Sequence, residues 1–167
     1  MYYGALEAGG TKMVCAIGDA DKNIIDRISI PTGTPDQSVP AMIDYFKKYD
    51  ISALGIGTFG PADINPNSPT YGSIMRSPKK AWEGFSLYKA FTDALGCLVV
   101  VDTDVNAAAW GEYLYGALKG LNSGMYLTVG TGIGGGIISD GRLIHGMEHP
   151  ETGHILIPRR TGDDIPC

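Results

Sequence analysis

The first third of the chain alternates short apolar runs with glycine-containing turns. Residues 2–7, 13–17 and 24–30 form the apolar runs, and their length and spacing predict antiparallel hairpins. A helix is predicted next, because apolar residues recur at i, i+3, i+4 and i+7 after Ser38, which we expect to be its N-cap. The periodic residues are Val39, Met42, Ile43 and Phe46.

The middle of the chain predicts alternating strands and helices around one long loop. A buried strand is expected at 53–59 and a loop rich in Pro, Asn, Ser and Gly at 63–84. Loops of that length inside a compact domain are usually functional. A helix at 87–96 and an apolar strand at 98–101 follow, and the strand is typical of a sheet covered on both faces. A further helix is predicted from about 105 to 118.

The remainder predicts a second, smaller group of strands. Residues 125–129 form a strand that leads into the glycine-rich segment 130–136, which we expect to be a loop. Residues 137–139 and 142–144 then form a hairpin, and the rest of the chain is polar and loop-like. Together these elements predict an α/β fold with a mixed sheet.

Composition excludes several classes of protein. Hydrophobic residues make up 44% and charged residues 19%, which is an ordinary globular mixture. The net charge of −5 argues against binding to nucleic acid or to an anionic membrane. No apolar run approaches the roughly 20 residues that cross a bilayer, and no basic leader is visible. Cys15, Cys97 and Cys167 make no disulfide framework, so we expect a cytoplasmic protein with buried, reduced thiols at Cys15 and Cys97.

The segment 130–136 matches G-x-G-x-x-G, a pattern that indicates dinucleotide binding only when a helix follows. Here a hairpin follows, so a Rossmann site is disfavoured. A P-loop is excluded as well, since Gly10-Thr11-Lys12 reverses the required order. What remains is a turn whose amide groups can form an anion nest, with a plain hairpin turn as the alternative.

The segment around Gly9 and Gly10 has a similar layout. It places the carboxylate of Glu7, bare backbone, the hydroxyl of Thr11 and the ammonium of Lys12 at one strand–strand turn. Backbone amides and Thr11 can hold phosphate oxygens, and Glu7 can orient magnesium directly or through water. The alternative interpretation of Lys12 is a solvated residue in the turn. Two such turns can grip adjacent phosphates of one nucleotide from two sides.

Acidic and amide side chains mark the junction of strand 98–101 with the next helix. Asp102, Asp104 and Asn106 lie where ligand sites form in open α/β sheets, at the carboxyl end of a strand. The alternative for an aspartate here is a helix cap.

Glu151 and His154 can both bind sugar hydroxyls. His154 with Cys167 also resembles the first half of a zinc site, although two ligands do not complete one.

Five motifs follow one another along the chain: Glu-Ala-Gly-Gly-Thr-Lys, Gly-Thr-Phe-Gly-Pro, Asp-Val-Asn-Ala-Ala, Gly-Thr-Gly-Ile-Gly-Gly-Gly and Glu-Thr-Gly-His. These motifs, in this order, resemble those of the ROK (repressor, open reading frame, kinase) family over essentially the whole chain. Glu7 and the sequence His149-Pro150-Glu151 resemble the fructokinase branch. The resemblance implies an actin-like, ribonuclease-H-like fold with two lobes, the first at 1–118 and the start of the second at 119–167.

The resemblance also implies a role for each matching residue. Asp104 matches the base that accepts the proton of the sugar hydroxyl, and His154 and Cys167 match zinc ligands. The implied sugar ligands are Asn106, Glu151, His154, Gly60 and Trp82. The implied phosphate-loop residues are Glu7, Gly9, Gly10, Thr11, Lys12, Thr131, Gly132 and Gly134.

The activity implied is transfer of the γ-phosphoryl group of ATP to a hexose, with fructose favoured over glucose, mannose or an N-acetyl sugar. ATP, Mg²⁺ and a structural Zn²⁺ are the implied cofactors, and the implied assembly is a homodimer. A non-catalytic sugar-binding module is the alternative. A transcriptional regulator is disfavoured, because family regulators begin with a winged helix-turn-helix. Family kinases continue well beyond residue 167, so these residues alone are expected to be weakly active or inactive.

Overall fold

A five-stranded mixed sheet, in the order β3-β2-β1-β4-β5, is the framework of the computed structural model. The structure describes residues 1–130, 132–146, 151–162 and 164. The strands are β1 (Tyr2–Ala8), β2 (Lys12–Asp19), β3 (Ile24–Pro31), β4 (Ile51–Thr58), β5 (Leu98–Thr103), β6 (Gly124–Val129), β7 (Ile133–Ser139) and β8 (Arg142–Leu143). The helices are α1 (Pro35–Phe46), α2 (Leu87–Leu95) and α3 (Asp104–Tyr115), with 3₁₀ turns at Lys80–Trp82 and Thr152–His154.

Three neighbouring strands of this sheet run parallel and end at the same edge. β1 and β2 form the antiparallel hairpin that the sequence predicts, whereas β1, β4 and β5 pair in parallel. In this register Glu7 lies opposite Gly57, and Gly57 lies opposite Asp102. The carboxyl ends of the strands therefore place two acidic side chains on either side of one glycine.

The core lies on one face of the sheet, beneath α1 and α2. Strand residues with period two supply it, for example Leu6, Leu54 and Val99, which are all buried. Phe46 of α1 and Phe91 of α2 meet edge to face, with ring centroids 6.0 Å apart. Full burial of each such side chain stabilises the fold by about 1.5–3 kcal/mol.

Helix α1 begins earlier than the sequence pattern predicts. Its N-cap is Thr34, whose side chain forms a capping box with Gln37, and Pro35 occupies the first helical position. Ser38 is a buried residue inside the helix, and its hydroxyl accepts a hydrogen bond from the Gly33 N–H at 2.9 Å. The prediction of Ser38 as N-cap was wrong, because the first turn is polar and apolar periodicity begins only after it.

The glycine-rich segment 130–136 is mostly strand rather than loop. Strand β7 begins at Ile133, so only 130–132 connect it to β6. A Cβ on Gly136 would collide with the carbonyl oxygen of Val105 in α3. These glycines let α3 lie directly on β7.

The long segment 63–84 is ordered by contacts to the sheet. Isolated bridges join Ala62 to Ile74 and Ser73 to Ser86. The hydroxyl of Tyr71 donates to the Val101 carbonyl at 2.9 Å and accepts from the Val101 N–H at 2.8 Å. Tyr71 thus supplies the backbone of edge strand β5 with the partner that a sixth strand would otherwise provide.

The thiols described are free. Cys15 is buried in β2, as predicted, and burial raises its pKa to about 12. Cys97 is half-buried, and burial raises its pKa as well. Cys167 lies outside the described residues. Within the described part of the chain, no helix is long and apolar enough to cross a membrane.

Removing the Tyr71 hydroxyl tests the edge contact. Tyr71→Phe leaves the Val101 N–H and C=O without this partner, so we expect the free energy of unfolding to fall by about 1–3 kcal/mol. Denaturant unfolding followed by circular dichroism measures the change. Tyr88→Phe is the matched control, since its ring packs on Tyr71 with centroids 5.0 Å apart. A Tyr71→Phe variant as stable as the Tyr88→Phe variant would contradict the assigned contact.

Candidate functional site

A cavity of about 720 Å³ opens at the carboxyl edge of the parallel strands. Glu7 of β1, Gly57 of β4 and Asp102 of β5 line it from the sheet, and Asp104 lines it from α3. Tyr126 and Thr128 of β6 close the opposite side. The cavity therefore gathers three acidic side chains from two segments that are distant in sequence, the end of β1 and the β5–α3 junction.

Thr103 caps α3, and its side-chain oxygen accepts a hydrogen bond from the Asn106 N–H at 3.2 Å. Neither Asp102 nor Asp104 has the capping role that was their alternative. Asp104 is the first helical residue, and its Oδ1 accepts from the Val105 N–H at 2.8 Å. The partial positive charge at a helix N-terminus favours an ionised carboxylate there. Asp104 is thus positioned as an anionic side chain on the cavity wall.

Asp102 links α3 to the segment that follows β8. Its Oδ1 accepts from the Asn106 amide Nδ2 and from the Thr103 N–H, each at 2.7 Å. Its Oδ2 lies 2.8 Å from Nε2 of His145. Three groups therefore fix the orientation of one carboxylate at the edge of the cavity.

Asn106 does not line the cavity, although the resemblance implies a sugar ligand there. The residue is fully buried, and within the described residues its Oδ1 has no hydrogen-bond partner. Asp102 lies at the end of β5 and Asn106 in the first turn of α3, four residues later, and the Asn106 amide reaches that carboxylate instead of the solvent. Asn106 therefore holds Asp102 in place, and the sugar contact that the resemblance implies for Asn106 stays a prediction.

His145 is a site residue that the sequence did not identify as one. It follows β8, and the pairing of β8 with β7 brings it beside Asp102, 43 residues earlier in the chain. A histidine after a short hairpin carries no local signal of such a contact. Only the packing of the β6–β7–β8 sheet against α3 creates it.

Gly57 allows α3 to approach the sheet. A Cβ at this position would lie 2.9 Å from the Ala107 Cβ and 3.3 Å from the Asp104 Cα. Real Cβ atoms show almost no contacts as short as the first distance. The absence of a side chain at Gly57 therefore sets the position of Asp104 relative to Glu7 and Asp102.

The turn between β1 and β2 has the compact form that the sequence predicts. The Gly9 N–H donates to the Lys12 carbonyl at 3.0 Å, and a Cβ on Gly9 would lie 2.6 Å from that oxygen. Among the described residues, nothing accepts a hydrogen bond from the N–H groups of Gly10 or Thr11. Thr11 and Lys12 are exposed. The turn thus offers two amides, a hydroxyl and an ammonium beside Glu7.

The second glycine turn is smaller than expected. The Gly130 N–H donates to the Gly132 carbonyl at 2.9 Å, which closes a tight turn between β6 and β7. Gly134 belongs to β7, where it packs against Val105 and Thr128, so it was wrongly placed in the loop. Thr131 lies outside the described residues.

Glu151 and His154 lie at the second 3₁₀ turn, where His154 Nδ1 is 3.0 Å from Glu151 Oε2. Both side chains are exposed, and neither residue lines the cavity described above. Thr152 anchors the turn on β7, since its hydroxyl donates to the Gly135 carbonyl at 3.4 Å. His149, Pro150 and Cys167 lie outside the described residues.

Trp82 is a core residue rather than a wall of the site. Its side chain is 1% exposed, and its indole N–H donates to the Gly33 carbonyl at 2.9 Å. The ring meets Phe59 edge to face at 6.0 Å. Trp82 therefore anchors the 63–84 segment, and the direct sugar contact that the resemblance implies for it stays a prediction. Gly60 follows Phe59 in the chain and is half-buried, at the cis peptide with Pro61.

Gly57→Ala tests the close approach of α3. The added methyl group must displace Ala107 and the backbone of Asp104, so we expect a loss of about 1–3 kcal/mol in the free energy of unfolding. Denaturant unfolding measures it. Gly55→Ala is a matched control on the same strand and face, because a Cβ there meets nothing within 4 Å. Equal stability of the two variants would contradict the packing constraint.

Comparison of the sequence with known proteins identifies its family and its relatives. Residues 3–167 match the ROK family. A fructokinase of Lactococcus lactis subsp. cremoris is 46% identical over 159 residues, which are 95% of this chain and 54% of that protein. A fructokinase of Pediococcus pentosaceus is 43% identical over 165 residues, 99% of this chain and 57% of that protein. The chain therefore spans about half the length of these relatives.

A solved structure confirms the fold class. The ROK family glucokinase from Streptomyces griseus, in complex with glucose and AMPPNP, superposes with a TM-score of 0.76 and 29% identity. The match covers 95% of this chain and 51% of that protein. The actin-like α/β fold is thus confirmed, whereas the lobe boundary between 118 and 119 stays a prediction. By sequence over nearly its whole length, and by fold, the chain belongs to the ROK family.

Proposed function

We propose that this chain is the sugar- and phosphate-handling half of an ATP-dependent hexose kinase, and that its substrate is fructose. The observation that carries the proposal is the convergence of Glu7, Asp102 and Asp104 on one cavity. The two glycine turns lead out of β1 and β6, whose residues line that cavity. Phosphoryl transfer requires a positioned nucleophile, amide and metal stabilisation of charge, and a carboxylate directed at the hydroxyl.

Asp104 is the proposed base. Its carboxylate lies on the cavity wall at the first turn of α3, and the helix N-terminus stabilises its anionic form. In a loose transition state the sugar hydroxyl loses its proton late, so a carboxylate of ordinary basicity suffices to accept it. Asp104 orients the attacking hydroxyl and then takes its proton.

Magnesium fits the donor set on the sheet side. Mg²⁺ is usually held by one or two carboxylates together with phosphate oxygens and water. Glu7 and Asp102 both line the cavity, on either side of Gly57, and would hold the ion in this way. When bound, it neutralises charge on the phosphate oxygens. The turn at Gly9–Lys12 would bind those oxygens through its amides and Thr11.

The described residues contain only part of the zinc site that the resemblance implies, because Cys167 lies outside them. A structural zinc site takes four ligands, and no group of three His, Cys, Asp or Glu side chains in the described residues is arranged to hold a metal. His154 contacts Glu151, an arrangement that suits both residues to sugar hydroxyls. No step of the proposed reaction depends on zinc.

The preference for fructose rests on the relatives. The two described above, at 43% and 46% identity, are fructokinases, whereas the glucokinase structure is 29% identical. Fructose, glucose, mannose and N-acetyl sugars differ at hydroxyls that loops read. Glucose is the second candidate, supported by the glucose complex of that structure.

The substrate is testable in a hybrid that joins this chain to the part of the Lactococcus lactis relative that it does not match. ADP release is measured with fructose, glucose, mannose, N-acetylglucosamine and N-acetylmannosamine. We expect fructose to give the highest kcat/KM, by about tenfold or more. A hybrid that unfolds cooperatively yet releases no ADP with any hexose would contradict the kinase assignment. A preference for glucose would overturn the choice of substrate.

Asp104→Asn in the same hybrid tests the base. The amide keeps the shape of the side chain but accepts no proton, so kcat should fall by about 10²–10⁴ while sugar affinity changes little. Steady-state kinetics and calorimetric titration with fructose separate the two effects. Asp93→Asn is the control, since Asp93 is an exposed residue that pairs with Lys89. Near-normal turnover of Asp104→Asn would remove Asp104 from the base role.

A further inference from the structure

Lys79 lies over the turn between β1 and β2, although it comes from the 63–84 segment. A Cβ built on Gly10 would be 3.5 Å from the Lys79 Cε, which is van der Waals contact. Lys79 is half-buried, whereas the neighbouring Lys80 is exposed. Nothing in the sequence pattern links this lysine to a glycine 69 positions earlier.

Two buried residues hold the backbone of Lys79 in place. Its N–H donates to the hydroxyl of buried Ser77 at 3.0 Å. Its carbonyl accepts from the Trp82 N–H at 2.9 Å, and the Trp82 indole is bonded in turn to Gly33. The lysine is therefore presented from a fixed backbone rather than from a mobile loop tip.

The charge of Lys79 has no counterpart in the described structure. Lys80 forms an ion pair with Glu83 at 3.1 Å, and Lys89 forms one with Asp93 at 2.7 Å. Lys79 forms none with any described residue. A half-buried ammonium without a carboxylate favours a site where an anion binds.

The turn beneath Lys79 has the complementary groups. Within the described chain, the N–H groups of Gly10 and Thr11 donate to no acceptor. Consecutive backbone amides of this kind form anion-binding concavities. Lys79 approaches from the side of Trp82, which belongs to the same core as Leu6 and Ala8, whereas Glu7 faces the cavity. An anion at the turn would thus contact the amides of Gly10 and Thr11 and the ammonium group of Lys79. The carboxylate of Glu7 lies on the other face of β1.

We propose that Lys79 is a phosphate-binding residue, which closes over the Gly9–Lys12 turn and contacts the triphosphate chain of the nucleotide. This inference rests on the proposed function, because it assigns the partner of the phosphate turn. The role of the 63–84 segment is then to position the ammonium group of Lys79 at the phosphate. The bound ligand class is a polyphosphate, free or attached to a nucleoside.

Calorimetric titration of the 167-residue chain with tripolyphosphate, at low ionic strength, tests the proposal without any sugar or turnover. Lys79→Met removes the charge and keeps most of the apolar side chain, and we expect its Kd to rise about tenfold. Lys79→Arg keeps the charge and should bind within about twofold of the parent. Lys80→Met, one residue away and equal in net charge to Lys79→Met, is the matched control and should also stay within about twofold.

A loss confined to Lys79→Met, with an unchanged thermal unfolding midpoint, supports the proposal. Equal losses in Lys79→Met and Lys80→Met would overturn it, since net charge alone would then explain the effect. Unchanged affinity of Lys79→Met would overturn it too, as would a parent chain that binds no tripolyphosphate. The proposed kinase function is decided separately, by ADP release in the hybrid.

Discussion

The close contact between β4 and α3 at Gly57 determines the rest of the candidate site. With no side chain at Gly57, the first turn of α3 rests on the sheet between Glu7 and Asp102. Neighbouring strands lie about 4.8 Å apart, so the Cα atoms of Glu7 and Asp102 are separated by roughly two strand spacings, and both side chains line the cavity together with Asp104. Any side chain there would move Asp104 away from the other two. The site depends on the absence of a side chain at Gly57 in strand β4.

Hydrogen bonds around Asp102 make this arrangement rigid. The carboxylate is shared between Asn106 of α3 and His145 beyond β8, so one side chain joins the large sheet, the helix and the small sheet. The glycines of β7 serve the same end, since Gly136 allows α3 to contact that strand directly. Glycine thus brings backbones together on both sides of α3. Close packing of α3 against β4 and β7 therefore accounts for the glycine clusters in the sequence better than phosphate binding alone does.

Much of the fold followed from local pattern. The hairpins, the two helices over the core and strand β5 were predicted, because apolar periodicity indicates which face of an element is buried. Pattern failed at Ser38, where a polar first turn concealed the true cap at Thr34. It failed again in segment 130–136, where all the glycines were interpreted as loop although Gly134, Gly135 and Gly136 lie in β7 and pair with β6. Glycine composition alone does not distinguish a flexible turn from close packing.

The candidate site was only partly predictable from the sequence, because contacts between distant segments decide which side chains reach it. Asp104 and the Gly9–Lys12 turn carry local signals, and the structure places both beside the same three strands. Asn106 and Trp82 carry signals of the same kind, yet both are buried and bonded to protein atoms. His145 and Lys79 carry none, because their positions depend on contacts between distant segments. Sequence motifs identify the edge of the sheet that the candidate site occupies, and packing decides which side chains reach it.

The proposed function requires nucleotide and sugar to meet at the carboxyl edge of β1, β4 and β5. Amide chemical-shift mapping of the ¹⁵N-labelled chain, titrated with fructose and a non-hydrolysable ATP analogue, shows where they bind. We expect the largest shifts at Glu7, the Gly9–Lys12 turn, Gly57 and Asp104. Shifts concentrated instead at the second cavity, between residues 66–73 and α2, with this edge unchanged, would contradict it.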